Sequence, residues 1–507
     1  MGVRKIFNGL NNRLRTAVKR IGMGGYINSL SKEGPLLHEM NRHKNAIAIV
    51  NCSLFDGIHP ALKQDMTILV AGGKIVQAGH REQVDVPEKF FTLDAAGQTL
   101  MPGLIDGHTH LCSPFTYDVN IPAVRQMRKQ IALNHMQTVY SGVTTVFDMG
   151  GPQGIIREFQ ALSDKNDLPG PRSINCFTLI SPGRGKTLGY PTQVKRIDPF
   201  QAWLLEGQVA TRPESIADLK KVCYKIKDDG GHHIKTTYQP HPFSAKRNER
   251  PDAYPVFDDD WMRAIMRIGK ETGMTVSIHS PFSAGTEKCV DLAIETGARI
   301  RIQHMTFDTE LKDTVVRKMS DAGYYIIPTV MVYGDAFNMP GFLSWLEEEP
   351  VTYMTPEANR QIKERIQNTI HLEPLSGREI LELDTVYLRD QFDIVRRNTQ
   401  KAHDAGIIGF GTDIGGTYTG FFGRICDEMA YYKEFGISAT DILKYMTSVN
   451  AKIHGLDDRG VVQPGSVADL ILLDGNPIEN PAALRNVQTV MKGGVFLKHA
   501  GLGLTCP

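Results

Sequence analysis

Apolar positions change their period along this chain. Between residues 46 and 100 they fall in short runs separated by glycine turns: 46–50 is apolar, and the runs 67–71 and 74–78 flank Gly72-Gly73. That is the pattern of strands joined by a hairpin. The same style returns near the other end, where 468–473 reads as a strand, Asp474-Gly475-Asn476-Pro477 as a turn, and 487–497 as another hairpin around Gly493-Gly494. Neither piece can bury a face by itself, so the two are expected to pair in one small β-sandwich.

Between these ends short apolar runs alternate with helical spacing. The predicted strands are 104–108, 144–149, 174–180, 233–237, 275–279, 300–304, 324–330 and 407–412. Helix signals lie between them. Asp308-Thr309-Glu310 precedes Leu311, Val315, Val316 and Met319; a second segment runs from Thr286 to Thr296 and stops at Gly297; and Ser438-Ala439-Thr440-Asp441 opens 442–453. Strands alternating with helices predict an α/β fold with a (β/α)8 TIM barrel, accompanied by the small β-sandwich built from both chain ends. The expected division is an N-terminal extension over 1–45, the sandwich over 46–100 and 460–507, and the barrel over 101–459. The seventh gap, 331–406, is too long for one helix and is expected to supply extra helices and a lid over the barrel mouth.

Composition narrows the class. Hydrophobic residues make up 41% and charged residues 22% of 507, with a net charge of +1, so no global charge favours nucleic acid. The seven cysteines are dispersed and odd in number, which fits reduced thiols in a cytoplasmic protein better than a disulfide framework. No run of 18 apolar residues is present, and no membrane span is expected. Residues 1–22 differ from the rest: Arg4, Lys5, Arg13, Arg15, Lys19 and Arg20 occur without an acid, and Val3, Ile6, Phe7, Leu10, Leu14, Val18 and Ile21 recur at helical spacing. Packing of this helix on the protein itself or on a second subunit is favoured over peripheral membrane attachment.

The candidate chemistry sits at strand ends. His108 and His110 are alternate residues in an extended segment, so they project together as two ligands of one ion must. Alone this is weak, because a chain with 16 histidines in 507 positions shows His-x-His by chance about once in two such chains. Lys235, His279, His304 and Asp413 stand at or just beyond the ends of four further predicted strands, and a barrel gathers those ends on one rim. Imidazoles and a carboxylate suit a pair of divalent cations, zinc first, with manganese and cobalt accepting similar ligands. Lys235 would be repelled as an ammonium. As a neutral amine it can add CO2, and both oxygens of the resulting carbamate can bridge two metals.

Pro102-Gly103-Leu104-Ile105-Asp106-Gly107-His108-Thr109-His110, with Ile234-Lys235, His279, Gln303-His304 and Gly411-Thr412-Asp413, resembles the amidohydrolase superfamily, in its two-metal, carboxylated-lysine form. The resemblance runs from about 46 to 498 and includes Asn450-Ala451 and Pro464-Gly465-Ser466-Val467-Ala468-Asp469-Leu470. It implies that His108, His110 and Asp413 hold one metal, that His279 and His304 hold the second, and that carboxylated Lys235 and a hydroxide bridge them. It further implies hydrolysis of an amide, urea-like, carbamate or ester bond in a small molecule, with Asp413 moving the proton and Lys235 completing the centre. Homo-oligomers are common in that superfamily.

The chain departs from relatives of the Xaa-Pro dipeptidase kind after Lys235, where Thr236-Thr237-Tyr238-Gln239-Pro240-His241-Pro242 replaces a glycine-rich turn, and at Ser181-Pro182-Gly183-Arg184-Gly185-Lys186, which lacks a histidine. Tyr238, Gln239, His241, Arg184 and Tyr333 are the candidate pocket residues, since barrel loops set specificity. A deaminase is the enzymatic alternative, disfavoured by Lys235 and by Ser280-Pro281-Phe282 after His279; an esterase or lactonase is another. A non-catalytic scaffold is disfavoured because no ligand is missing. His232 and His233 face opposite ways, and neither is expected to be a ligand.

Overall fold

The computed structural model of the protein describes residues 35–112, 121–182, 210–240, 255–337, 385–415 and 423–499. The early strands are β1 (Ala46–Leu54), β2 (Lys63–Ala71), β3 (Lys74–His80), β4 (Phe91–Asp94), β5 (Thr99–Pro102) and β6 (Leu104–Thr109). The central ones are β7 (Val143–Asp148), β8 (Arg172–Asn175), β9 (Leu179–Ile180), β10 (Ala210–Thr211), β11 (His233–Thr237), β12 (Thr275–His279), β13 (Ile300–Gln303) and β14 (Tyr325–Ile327). Three close the chain: β15 (Leu470–Leu473), β16 (Val487–Lys492) and β17 (Val495–His499).

The two chain ends meet in one sheet, ordered β17-β16-β15-β5-β1-β2-β3, with β4 also paired to β1. The link is the antiparallel pairing of β5 with β15, from Leu470 opposite Pro102 to Leu473 opposite Thr99. Ile47, Ile49, Ile68, Val70, Leu100, Leu470, Leu472, Met491 and Phe496 form one buried cluster drawn from both ends. Each such side chain, fully buried, stabilises by roughly 1.5–3 kcal/mol, so neither terminal piece keeps its core without the other. The alternate residues Ile471, Leu473, Val490 and Leu497 pack the opposite way, into the main core.

The central strands are parallel. One sheet has the order β10-β9-β11-β12-β13-β14 and another β6-β7-β8. Helices with local start and stop signals join them. Asp258 caps the helix Asp259–Thr272 by accepting from Trp261 N, and Gly273 ends it at φ 74°; Ser215 and Ser438 cap Ile216–Asp228 and Ala439–Lys444 in the same way. The Asp259–Thr272 helix buries Met262, Ile265, Met266 and Ile268, the spacing of one helical face.

Several elements differ from expectation. Residues 407–412 form no named strand. Their backbone bonds both neighbours instead: Ile326 N donates to Ile407 O (2.8 Å), Gly409 N to Ile326 O (2.9 Å), Gly107 N to Phe410 O (3.0 Å), and Asp413 N to His108 O (2.8 Å). The positive φ of Asp413, 57°, interrupts the pleat. The 174–180 run is split into β8 and β9 at Phe177, which has φ 61°. Asp308 starts no helix; its carboxylate accepts from Ser283 N and Oγ, and the helix begins at Asp313. The 442–453 helix contains a π turn at Tyr445–Val449. Of the expected lid, the helices Val330–Phe337 and Thr385–Asp404 are described, while 338–384 lies outside the described residues, as do 1–34. Among the described residues no helix is long and apolar enough to cross a membrane.

Candidate metal centre

Strand ends bring the six candidate residues together. His108 is fully buried on β6, and its Nε2 lies 3.3 Å from Asp413 Oδ1 and 3.5 Å from Lys235 Nζ. His110 Nε2 lies 3.5 Å from the same Asp413 oxygen. His108, His110 and Asp413 each offer one ligand atom within 4.8 Å of the others. The His304 ring stands 4.8 Å from that of His108 and 4.3 Å from that of His279, measured between centroids. The two histidine pairs therefore flank Lys235 in one continuous cluster.

Partners behind each ring set its orientation. Gln303 Oε1 takes Nδ1 of His108 at 2.7 Å, and the Gly150 carbonyl accepts from Nδ1 of His110 at 3.0 Å. In both cases Nε2 is turned toward the cluster. Thr329 Oγ1 meets Nδ1 of His304 at 2.8 Å, again leaving Nε2 on the cluster side. His279 is the exception: Gln239 Oε1 holds its Nε2 at 2.6 Å, so a ligand bond from this ring would run through Nδ1. Histidines that bind metal commonly anchor the other ring nitrogen in this manner.

Backbone constraints reinforce the arrangement. His304 (φ 73°) and Asp413 (φ 57°) both hold left-handed conformations, as does Thr329 (φ 50°). Such strain in non-glycine residues persists only where surroundings over-determine it, and it clusters at working sites. Gly107 and Gly411 permit the close approach of β6 to 407–414. A Cβ on Gly107 would meet Phe410 O at 2.6 Å, and one on Gly411 would meet His108 N at 2.9 Å.

Two carboxylates that sequence reasoning did not single out build the frame. Asp106 accepts from His108 N (3.1 Å), Thr412 N (3.1 Å) and Thr412 Oγ1 (2.6 Å), tying β6 to the segment that carries Asp413. Burial pushes its carboxyl up to about 7 against those hydrogen bonds. Asp148 accepts from Leu111 N and Gly150 N, each at 2.9 Å, and so fixes the loop whose carbonyl orients His110. Asn450 bonds Ile105 O, Phe410 O and Phe410 N from below. Asp106 stood inside the quoted motif. The signal available for it was its spacing, two residues before His108, at which an aspartate takes a backbone N–H.

The electrostatics suit cations. Burial, followed by repulsion from neighbouring cationic groups, holds His108, His279 and His304 well below the ordinary imidazole range. Neutral imidazoles are what a metal requires. Burial also brings the Lys235 amine down to about 8, partly offset by Asp413. Asp413 Oδ1 is buried and has no hydrogen-bond partner although two imidazole nitrogens face it. An orphaned carboxylate oxygen costs free energy unless something positive meets it, so this donor set fits a metal ion.

The pocket candidates are spread more widely. Gln239 is buried against His279. Tyr238, the residue before it, lines a groove with Phe282, Lys288 and Asp308, which contains none of the cluster residues. Tyr333 is buried, with its hydroxyl donating to Met305 O and its ring 5.9 Å from Phe307. His241 and Arg184 lie outside the described residues.

Comparison with known proteins agrees with this architecture. The amidohydrolase family profile matches residues 99–497. Among solved structures, a Xaa-Pro dipeptidase with bound methionine aligns with TM-score 0.67 at 21% identity, covering 90% of this chain and 100% of that one. Molinate hydrolase aligns with TM-score 0.66 at 18% identity, covering 91% and 97%. Ochratoxinase of A. niger aligns with TM-score 0.65 at 17% identity, covering 90% and 97%. At these identities the likeness is one of fold, a TIM-barrel-type α/β fold. No curated protein sequence matches. With most of its length matched by the family profile and its strand-end histidines gathered in one cluster, the chain belongs to the amidohydrolase family.

Proposed function

We propose that the protein is a two-metal hydrolase that cleaves a C–N bond in a small amide, carbamate or urea-like substrate. His108, His110 and Asp413 would hold one cation, His279 and His304 the other, and Lys235, carboxylated by CO2, would bridge them. Zinc is the first choice, with manganese and cobalt next. Two cations in such a centre lower the pKa of water and polarise the scissile carbonyl. The observation that carries this reading is the position of Lys235 Nζ, buried and 3.5 Å from His108 Nε2, with its amine brought down to about 8. A deaminase has no need of an amine there, and a scaffold has no need of the full ligand set.

The chain's own residues would do the rest. Water adds to the carbonyl carbon, and its proton passes to Asp413 Oδ1. The carboxyl then returns that proton to the leaving nitrogen as the C–N bond breaks. Gln239, through His279, and the loop carrying Tyr238 and His241 would shape the pocket beside this oxygen, together with Arg184 and Tyr333. We also read the parallel strands and the 407–414 segment as a closed eight-stranded barrel over 101–459. The hydrogen bonds between β14 and Ile407 and Gly409, and between β6 and Phe410 and Asp413, support that closure. The sheet built from both chain ends is read as the accompanying sandwich.

The test is metal analysis of purified protein followed by a panel of amides, ureas, carbamates, esters and dipeptides. Two equivalents of metal and turnover of a C–N substrate are expected. One equivalent with release of ammonia from an aminated ring would favour a deaminase. Cleavage of esters alone would move the substrate class, and a protein that binds no cation and turns over nothing would overturn the proposal.

A further inference from the structure

Each of three strands that bear a centre residue near its end carries a second polar residue two positions earlier. Below Lys235 on β11 stands His233; below His279 on β12 stands Ser277; below Gln303 on β13 stands Arg301. Alternate residues of a strand share a face, and the register pairs Lys235 with Ser277 and Ser277 with Arg301. Each of the three therefore shares the face of the residue two positions ahead of it and lies about 6–7 Å back along its own strand at roughly 3.3 Å per residue, with Ser277 between Lys235 and Arg301 in the register.

Most polar atoms of these three side chains lack a hydrogen-bond partner. Both ring nitrogens of His233, Oγ of Ser277, and Nε and Nη1 of Arg301 are buried without a hydrogen bond. His233 and Ser277 have no solvent exposure and Arg301 has 4%. Beside them the Phe147 ring lies 5.4 Å from the Arg301 guanidinium and 6.2 Å from the His233 ring, and His454, its own ring nitrogens unpartnered, stacks on Phe147 at 3.5 Å. Among the described residues no carboxylate pairs with Arg301. Burial brings its guanidinium down to about 9, with no acid raising it again.

A cation over one aromatic ring is attracted to it, but only modestly. An uncompensated buried charge remains expensive. Water could satisfy the hydrogen bonds of these side chains and would leave their charge unopposed. The orphan groups are rich in donors: the three N–H groups on Nε and Nη1 of the guanidinium, a serine hydroxyl, and the one N–H that a neutral imidazole carries. We propose that the floor of the strand ring binds a small monovalent anion of halide size, held by Arg301, His233 and Ser277 beneath the metal centre. One guanidinium sets the charge at minus one, and the burial of all three residues favours a small ion over a polyatomic one. The site does not depend on hydrolysis, though its place at the floor of the ring rests on the barrel closure proposed above.

Crystals of the metal-loaded protein soaked in sodium bromide test it directly. An anomalous bromine peak between the Arg301 guanidinium and the His233 ring is expected, and ordered water alone there would overturn the proposal. In solution, exchanging gluconate for chloride at constant ionic strength should raise the thermal midpoint by a few degrees and then saturate. Arg301→Gln should abolish that response. Ser277→Ala, which keeps the charge and removes one donor, should weaken the apparent chloride affinity roughly 3- to 10-fold, and it decides the matter if Arg301→Gln does not fold. A chloride response equal in wild type and Ser277→Ala, or none in wild type, counts against the site.

Discussion

Gln303 and His108 stand 195 residues apart in the chain and meet at 2.7 Å, amide Oε1 against imidazole Nδ1. That contact fixes the tautomer of His108: with Nδ1 donating, Nε2 keeps its lone pair and points at Asp413 and Lys235. Gln303 is thus a positioning residue for the most buried of the candidate ligands.

Removing that amide should loosen the metal before it touches the fold. Gln303→Ala is expected to weaken metal affinity about 10- to 100-fold, the usual effect of losing a partner behind a ligating histidine. Gln303→Glu, which keeps an acceptor at the same place, should retain most of the affinity. Competition with a chelator measures both. Wild-type affinity in the alanine variant would show that His108 is oriented by other contacts.

Lys235 predicts how the metal-free protein regains activity. Its amine titrates near 8, so the neutral form that reacts with CO2 grows as pH rises through that value. Reconstitution with metal and bicarbonate should therefore speed up between about pH 7 and pH 9 and level off above. A carbamate carbon signal should appear in protein reconstituted with 13C-bicarbonate and be missing from Lys235→Ala. Short-chain carboxylates should partly restore the activity of that variant. A pH-independent rate with no carbamate signal would remove the bridging role.

Asp56 makes a prediction about acid stability, away from the centre. Burial alone would raise its carboxyl, but the Lys63 ammonium at 2.7 Å and the N–H groups of His59 and Ile58, both at 2.8 Å, outweigh burial and pull it down to about 2. A carboxyl depressed in the folded state stabilises it above the unfolded pKa, near 4, and that stabilisation is lost as pH falls toward 2. Because Lys63 and His59 are exposed, the contribution at neutral pH is about 1–2 kcal/mol after allowing for solvent screening. Asp56→Asn should lower the urea midpoint at pH 7 accordingly and flatten its decline below pH 4. Parallel acid profiles for variant and wild type would assign no net stabilisation to the cluster.

What the residue pattern revealed, and what it hid, follows from how local each feature is. Lys235, His279 and His304 could be placed because a strand's period of two is written in neighbouring residues, and each lies in or just after a short segment that alternates apolar and polar positions. The segment holding Asp413 read as a strand because its residues are apolar. Its hydrogen bonds, however, go to β14 and β6, distant in the chain, and its backbone turns left-handed at the ligand itself. The bond between Asp106 and Thr412 was hidden for the same reason, since it spans 306 residues. Asp308 carries a helix-start signature, yet a bond to Ser283 claims its carboxylate first. The floor residues were hidden in a different way. His233 and Arg301 look like ordinary polar strand residues until both are found facing inward without partners.

Asp413 bears the last prediction and the sharpest one. Its Oδ1 lies between two imidazole nitrogens, where it can both hold a cation and take a proton. Asp413→Asn preserves shape and one carbonyl oxygen as a ligand but cannot accept a proton. Turnover should fall about 10²- to 10⁴-fold, the range for loss of a general acid–base group, while metal content stays near that of wild type. Metal analysis and turnover must be read on the same sample, because loss of a cation alone would also slow the reaction. If both metals stay and turnover is unchanged, the proton moves by another route and Asp413 is a ligand only. If metal is lost in proportion to activity, returning it in excess should restore turnover in a pure ligand variant but not in one that has lost its proton carrier.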